Sequence, residues 1–125
     1  MSAPFALIIE DDKDLSTIFA QALRAAEFET EIAEDGQVAS TRLTETTPSI
    51  VVLDLHLPYV SGRDILDQIR SDPRLQETRV MLATADPAMA EMLRTEADLV
   101  LIKPISFSQL RDLAKRLRPP GSSEW

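Results

Sequence analysis

The sequence predicts an α/β domain in which a parallel five-stranded sheet is sandwiched between helices, a doubly wound fold of three layers. Two observations predict it. Short apolar runs alternate five times with segments whose apolar residues recur every three or four positions, the pattern of strand–helix–strand units. One run, Ile50-Val51-Val52-Leu53, holds no polar residue, as a strand buried on both faces requires. Right-handed crossovers between parallel strands leave only a few doubly wound orders.

The first strand is Phe5–Ile9, ended at once by Glu10-Asp11-Asp12. Leu15, Ile18, Phe19, Ala22, Leu23 and Ala26 then follow the 3.6-residue period, so a helix covers roughly 14–27. Thr30–Ala33 makes a weaker strand near an edge. Asp35-Gly36 turns the chain into a second helix of about ten residues, stopped by Thr47-Pro48. The central strand, 50–54, ends on Asp54, and Pro58 bars its continuation. Ser61 and Asp64 have capping-box spacing ahead of Ile65, Leu66 and Ile69, and Asp72-Pro73 closes that third helix. Arg79–Ala83 is the fourth strand, ending at Thr84-Ala85. Asp86-Pro87 is an N-cap followed by proline in the first turn of a fourth helix, with Met89, Met92 and Leu93 expected to face inward. Leu99–Ile102 is the fifth strand, with Lys103-Pro104 at its end. Ser106 and Gln109 repeat the capping-box spacing before Leu110, Leu113, Ala114 and Leu117. Residues 1–118 read as one domain and 119–125 as a linker-like tail.

A chain of 125 residues is long enough for one sizeable core. Its net charge of −8 argues against a nucleic-acid or anionic-membrane surface on this domain. The absence of cysteine rules out disulfides and thiolate metal sites. The start lacks a signal peptide's charged region and apolar core, and no run reaches membrane-spanning length, so a cytoplasmic location is expected.

In doubly wound sheets, ligands bind outside the carboxyl ends of the strands. At those ends stand Glu10, Asp11 and Asp12 (first strand), Asp54 (third), Thr84 (fourth) and Lys103 (fifth). Taken singly, each has a plain reading: acids favouring a helix start, a turn cap, a strand-end hydroxyl, a surface lysine. Gathered on one rim, they make a chemical site. Carboxylates crowded together repel unless a cation intervenes. An all-oxygen ligand set points to Mg2+ or Mn2+, and Mg2+ with open water positions is the usual partner of a phosphoryl group. Asp54 can then act as a nucleophile that forms an aspartyl phosphate, with Lys103 and Thr84 on the phosphoryl oxygens. No glycine-rich nucleotide loop is present, so the donor must carry an already activated phosphoryl group.

Leu7–Asp12, Val51–Pro58, Gly62, Val80–Ala85 and Lys103-Pro104 together resemble the receiver domain of two-component response regulators, over roughly residues 4–118. The resemblance implies a flavodoxin-like (βα)5 fold with strand order 2-1-3-4-5. It implies a phosphorylation-dependent signalling switch rather than a conventional enzyme, catalysing its own phosphorylation and dephosphorylation. The phosphoryl group would pass from a phosphohistidine of a histidine kinase or phosphotransfer protein to Asp54. By the same match, Asp11 and Asp54 bind Mg2+ directly, His56 contributes its backbone carbonyl, and Glu10 acts through water. Thr84 and Lys103 contact the phosphoryl group, His56 and Asp86 occupy the rim where water attacks, and Lys103–Pro104 is expected to be cis.

Two positions depart from the family pattern. The aromatic residue usual in strand five, which swings inward on activation, is here Val100. Glu96-Ala97 stands in place of Gly-Ala. Activation is therefore expected to move the loop after Thr84 and the fourth helix without an aromatic rotation. The face of helix four, strand five and helix five would serve as output surface and homodimer interface. An Asp-nucleophile phosphatase is the alternative reading, but such an enzyme wants a second acid where His56 stands. A phosphate-independent interaction module is the other alternative, and no site residue is missing to favour it.

Overall fold

All five residues of the central strand β3 (Ile50–Asp54) are buried, and the sheet grows outward from it. The computed structural model describes residues 3–119. Along the chain β1 (Phe5–Ile9), α1 (Lys13–Ala25), β2 (Glu29–Ala33) and α2 (Gly36–Glu45) precede β3. After it come α3 (Gly62–Ser71), β4 (Arg79–Thr84), α4 (Pro87–Leu93), β5 (Leu99–Ile102) and α5 (Phe107–Arg116). The strand order is β2-β1-β3-β4-β5 and every pairing is parallel. The chain is thus the doubly wound, flavodoxin-like (βα)5 sandwich expected, with β2 on an edge.

Alternation along each strand sorts the core into two layers. Ala6, Ile8, Val52 and Met81 point to one face, where Phe19, Ala22 and Leu23 of α1 and Leu110 and Ala114 of α5 cover them. Leu7, Ile9, Val51, Leu53, Val80 and Leu82 point to the other, against Leu43 of α2, Ile65, Leu66 and Ile69 of α3, and Leu93 of α4. Fully burying one such aliphatic side chain stabilises by roughly 1.5–3 kcal/mol, so both faces must be covered for the sheet to form.

Polar caps fix where each helix starts. Asp12, Asp35, Ser61, Asp86 and Ser106 are the N-caps of α1 to α5 in turn, each accepting a bond from a backbone N–H inside its helix. Each such cap is worth ~1 kcal/mol. A short 3-10 turn, Pro73–Leu75, follows α3 and buries Leu75 completely. The Lys103–Pro104 peptide is cis.

One inward assignment needs correcting. Met92 is 71% exposed, whereas Ala90 and Leu93 are buried and Met89 packs partly against the core. The apolar face of α4 therefore runs through 89, 90 and 93. The helix has only seven residues, too few for periodicity to fix its rotation, and the small Ala90 side chain takes the inward place assigned to Met92. Of the tail 119–125, only Pro119 lies within the described residues. Among those residues, no helix is long and apolar enough to cross a membrane.

Asp98 ties the start of β5 to its neighbours. It accepts from Val80 N (2.7 Å), Arg70 (3.1 Å) and Arg79 (3.2 Å). Burial pushes its pKa up, but the Val80 N–H and the two guanidiniums outweigh that and hold the carboxyl below its ordinary value. A depressed native pKa gives stability that is present above the unfolded value and lost as pH falls through the native one. Asp98→Ala should therefore destabilise the domain by ~1–3 kcal/mol near neutral pH. Denaturant melts across pH should show the difference from wild type shrinking only on the acid side of the carboxylate range.

Candidate metal and phosphoacceptor site

Four strands end in groups that meet at one rim. β1 hands on Glu10 and Asp11, β3 ends on Asp54, β4 ends on Thr84, and Lys103 follows β5. Glu10, Asp54 and Thr84 are buried while Asp11 is exposed. One carboxylate oxygen from each of Glu10, Asp11 and Asp54 lies within 4.8 Å of the others. Lys103 Nζ stands 3.1 Å from Glu10 Oε1 and 3.4 Å from Asp54 Oδ1. Asp54 Oδ1 also accepts from His56 N (3.1 Å), and Glu10 Oε2 accepts from Asp12 N (3.2 Å).

Consecutive acids after β1 have separate places. Asp12 turns away to cap α1, accepting from Leu15 N at 3.0 Å, while Glu10 and Asp11 join the cluster. Burial, and then the charge of Asp54, push the Glu10 carboxyl up to about 7, against the opposing pull of Lys103 and the Asp12 N–H. Burial tends to lower the Lys103 pKa, but its bond to Glu10 and the charge of Asp54 outweigh this and raise it. Three carboxylates facing one ammonium leave the rim short of positive charge. Its donors are all hard oxygens, so the cluster fits Mg2+ or Mn2+ and offers nothing to a softer metal.

The loop after β3 is clamped from two sides. A Cβ on Gly62 would lie 2.5 Å from Leu55 Cα and 2.6 Å from Asp54 O, and one on Gly36 would lie 2.3 Å from Val60 O. The start of α3 thus rests on the main chain of Asp54 and Leu55, and the start of α2 on that of Val60, at distances no side chain permits. Tyr59, at φ 69°, takes the left-handed turn between the two clamps.

Thr84 Oγ1 accepts from Asp86 N (3.0 Å) and lies 3.2 Å from His56 Nε2. Sequence reasoning missed this ring contact, although the β3–β4 register pairs Asp54 with Ala83 and sets the residues just beyond side by side. Asp86 is the α4 cap, its Oδ1 accepting from Ala88 N and Met89 N. Val100 is half-buried, paired with Leu82 and packed on the β4–α4 side of the core. It stands apart from the acid cluster.

The model of the response regulator receiver domain matches residues 6–115, and the chain belongs to that family. It is 31% identical over 117 residues to the phosphate regulon transcriptional regulatory protein PhoB of Rhizobium meliloti, covering 91% of this chain and 52% of that protein. The chain thus spans about half that relative's length. Among solved structures it resembles chemotaxis response regulator CheY4 of Vibrio cholerae, with TM-score 0.84, 19% identity, and coverage of 93% of this chain and 99% of that one. It also resembles response regulator TrrA of Thermotoga maritima in complex with Mg2+ and BeF, with TM-score 0.80, 24% identity, and coverage of 94% and 99%. These two likenesses bear on the fold.

The split roles of the neighbouring acids give a direct test. In an NMR titration with Mg2+, Asp11→Asn should weaken binding by about tenfold or more, the loss of one charged ligand from a small set. Asp12→Asn should leave the affinity nearly unchanged while lowering stability by a few tenths of a kcal/mol, since asparagine caps almost as well. Equal losses in affinity would contradict this placement.

Proposed function

We propose that this domain is a phosphorylation-dependent signalling switch whose phosphoacceptor is Asp54. The observation that carries the reading is a buried carboxylate at the end of the central strand, inside an oxygen cluster of metal-binding size and 3.4 Å from Lys103. The donor is a phosphohistidine of a histidine kinase or phosphotransfer protein. The Asp54 carboxylate attacks phosphorus, the P–O bond forms as the P–N bond breaks, and the imidazole nitrogen leaves with the electron pair. Water later attacks the same phosphorus, releasing inorganic phosphate and restoring the carboxylate.

Glu10, Asp11, Asp54 and the His56 carbonyl would hold Mg2+, Glu10 through water. When bound, the cation supplies the positive charge that offsets the acids and the incoming phosphoryl oxygens. Lys103 draws charge from the same oxygens, and Thr84 donates a hydrogen bond. His56 Nε2 and Asp86 line the approach of the hydrolytic water. His56 also occupies the place where an Asp-nucleophile phosphatase would carry its second acid, which favours a switch over an enzyme acting on external phosphoesters.

Reaching the phosphoryl group moves Thr84 toward Asp54 and drags the Asp86 cap and α4 with it. Val100 is short and stiff about χ1, so no ring fills the vacated space, and Met89 repacks instead. Met92 on α4, Ile102 on β5 and Phe107 on α5 are exposed apolar side chains, which supports this face as the output surface and homodimer interface. The charge of −8 disfavours nucleic acid on the domain's own surface. That expectation does not extend to a whole protein, because PhoB, about twice this length, is by name a transcriptional regulator.

Intact mass after treatment with acetyl phosphate and Mg2+ tests the assignment. Wild type should gain one phosphoryl group per chain and lose it on standing. Asp54→Asn should gain none, and labelling that persists at the wild-type level would end this reading.

A further inference from the structure

The hydroxyl of Thr84 has more claimants than it can serve. Thr84 has no solvent exposure, so its bonds must be made inside the protein. A hydroxyl carries one proton and two lone pairs. The Asp86 N–H donates to one lone pair at 3.0 Å. The proton must then go to an acceptor, because a buried donor left unpaired is costly. His56 Nε2, 3.2 Å away, can serve as that acceptor when the ring is the tautomer protonated at Nδ1. The oxygens of a phosphoryl group only accept. Thr84 therefore cannot donate to His56 and to a phosphoryl group with the same proton.

We propose that His56 is a positioning residue for phosphoryl transfer. Its imidazole holds the Thr84 hydroxyl in the unphosphorylated site, and the phosphoryl group must displace it to recruit Thr84. The proposal rests on Asp54 being the phosphoacceptor. His56 is exposed, so the released ring turns into water and finds a new partner there, and both positions of the ring are affordable. The contact joins the loop after β3 to the end of β4, the two segments that must move relative to each other when Thr84 shifts. The exchange of partners at Thr84 thus takes place on the Asp54 side of β4, between a threonine and a histidine. No aromatic residue of β5 takes part in it.

A double-mutant cycle on beryllofluoride binding with Mg2+ tests this, because side-chain changes at His56 leave its backbone carbonyl in place. His56→Ala should bind beryllofluoride about two- to tenfold more tightly than wild type, the worth of one competing hydrogen bond. His56→Gln, whose amide oxygen can accept the same proton, should stay near wild type. In a Thr84→Val background, which keeps the Asp54 and Mg2+ contacts, His56→Ala should change nothing. The chain has a single histidine, so long-range 15N NMR sees this ring alone. Nε2 should read as unprotonated and hydrogen-bonded, and its resonance should move when beryllofluoride is added. Unchanged or weaker binding in His56→Ala, or the same effect with Thr84→Val present, would overturn the role of His56 while leaving Asp54 in place. Failure of wild type to bind beryllofluoride would overturn the Asp54 reading and this proposal with it.

Discussion

Three carboxylates crowd the carboxyl end of the sheet, and one buried-edge lysine faces them. That imbalance governs the rest of the structure. Glu10 and Asp54 are both almost wholly buried, where charge is expensive unless paired and hydrogen-bonded. The chain offsets part of the cost locally. Lys103 reaches both acids, the His56 N–H serves Asp54, and the Asp12 N–H serves Glu10. Burial, and then the charge of Asp54, still hold the Glu10 carboxyl up to about 7. A site left short of positive charge in this way is ready for a cation and intolerant of a misplaced neighbour.

Holding the arrangement is the work of the sheet. Parallel pairing places the ends of β1, β3, β4 and β5 on one rim, although the groups they carry span residues 10 to 103 of the sequence. Both faces of β3 are sealed by apolar layers, each packed around its own set of side chains. A slip of one residue would turn every side chain to the opposite face. Gly36 and Gly62 then press two helix starts against the loop that follows Asp54. Asp54 is fixed by packing beneath it and by close backbone contact beside it. Thr84 is buried at its strand end, but its hydroxyl is held by hydrogen bonds to His56 and Asp86, and those partners can be exchanged.

Much of this was legible in the sequence, for reasons that differ by element. Buried strands announce themselves as unbroken apolar runs, and acids placed directly after them mark the rim, so Glu10, Asp54 and Lys103 could be brought together before any coordinates. Strand order came from resemblance, since periodicity alone allows several orders. Met92 was misplaced because a helix of seven residues carries too little pattern, and alanine gives no signal of its own. The 3-10 turn at Pro73–Leu75 is shorter than any period. The His56–Thr84 contact depends on a ring rotamer and a loop path, and neither leaves a trace in residue order. Asp35-Gly36 marks a turn and Gly62 belongs to the family pattern, but that both glycines clamp the same loop emerges only from packing.

If charge crowding at the rim is the controlling constraint, the site is held at the expense of the fold, and removing one charge should show it. The direct measurement is the thermal midpoint of wild type and Asp54→Asn, each in chelator and in excess Mg2+. Asparagine keeps an oxygen for the His56 N–H and for Lys103 while removing the negative charge. In chelator, Asp54→Asn should melt several degrees higher than wild type, equivalent to ~1 kcal/mol or more. Mg2+ should raise the wild-type midpoint and narrow that gap while affecting the variant little. A variant no more stable than wild type in chelator, or an equal Mg2+ response in both, would contradict the account.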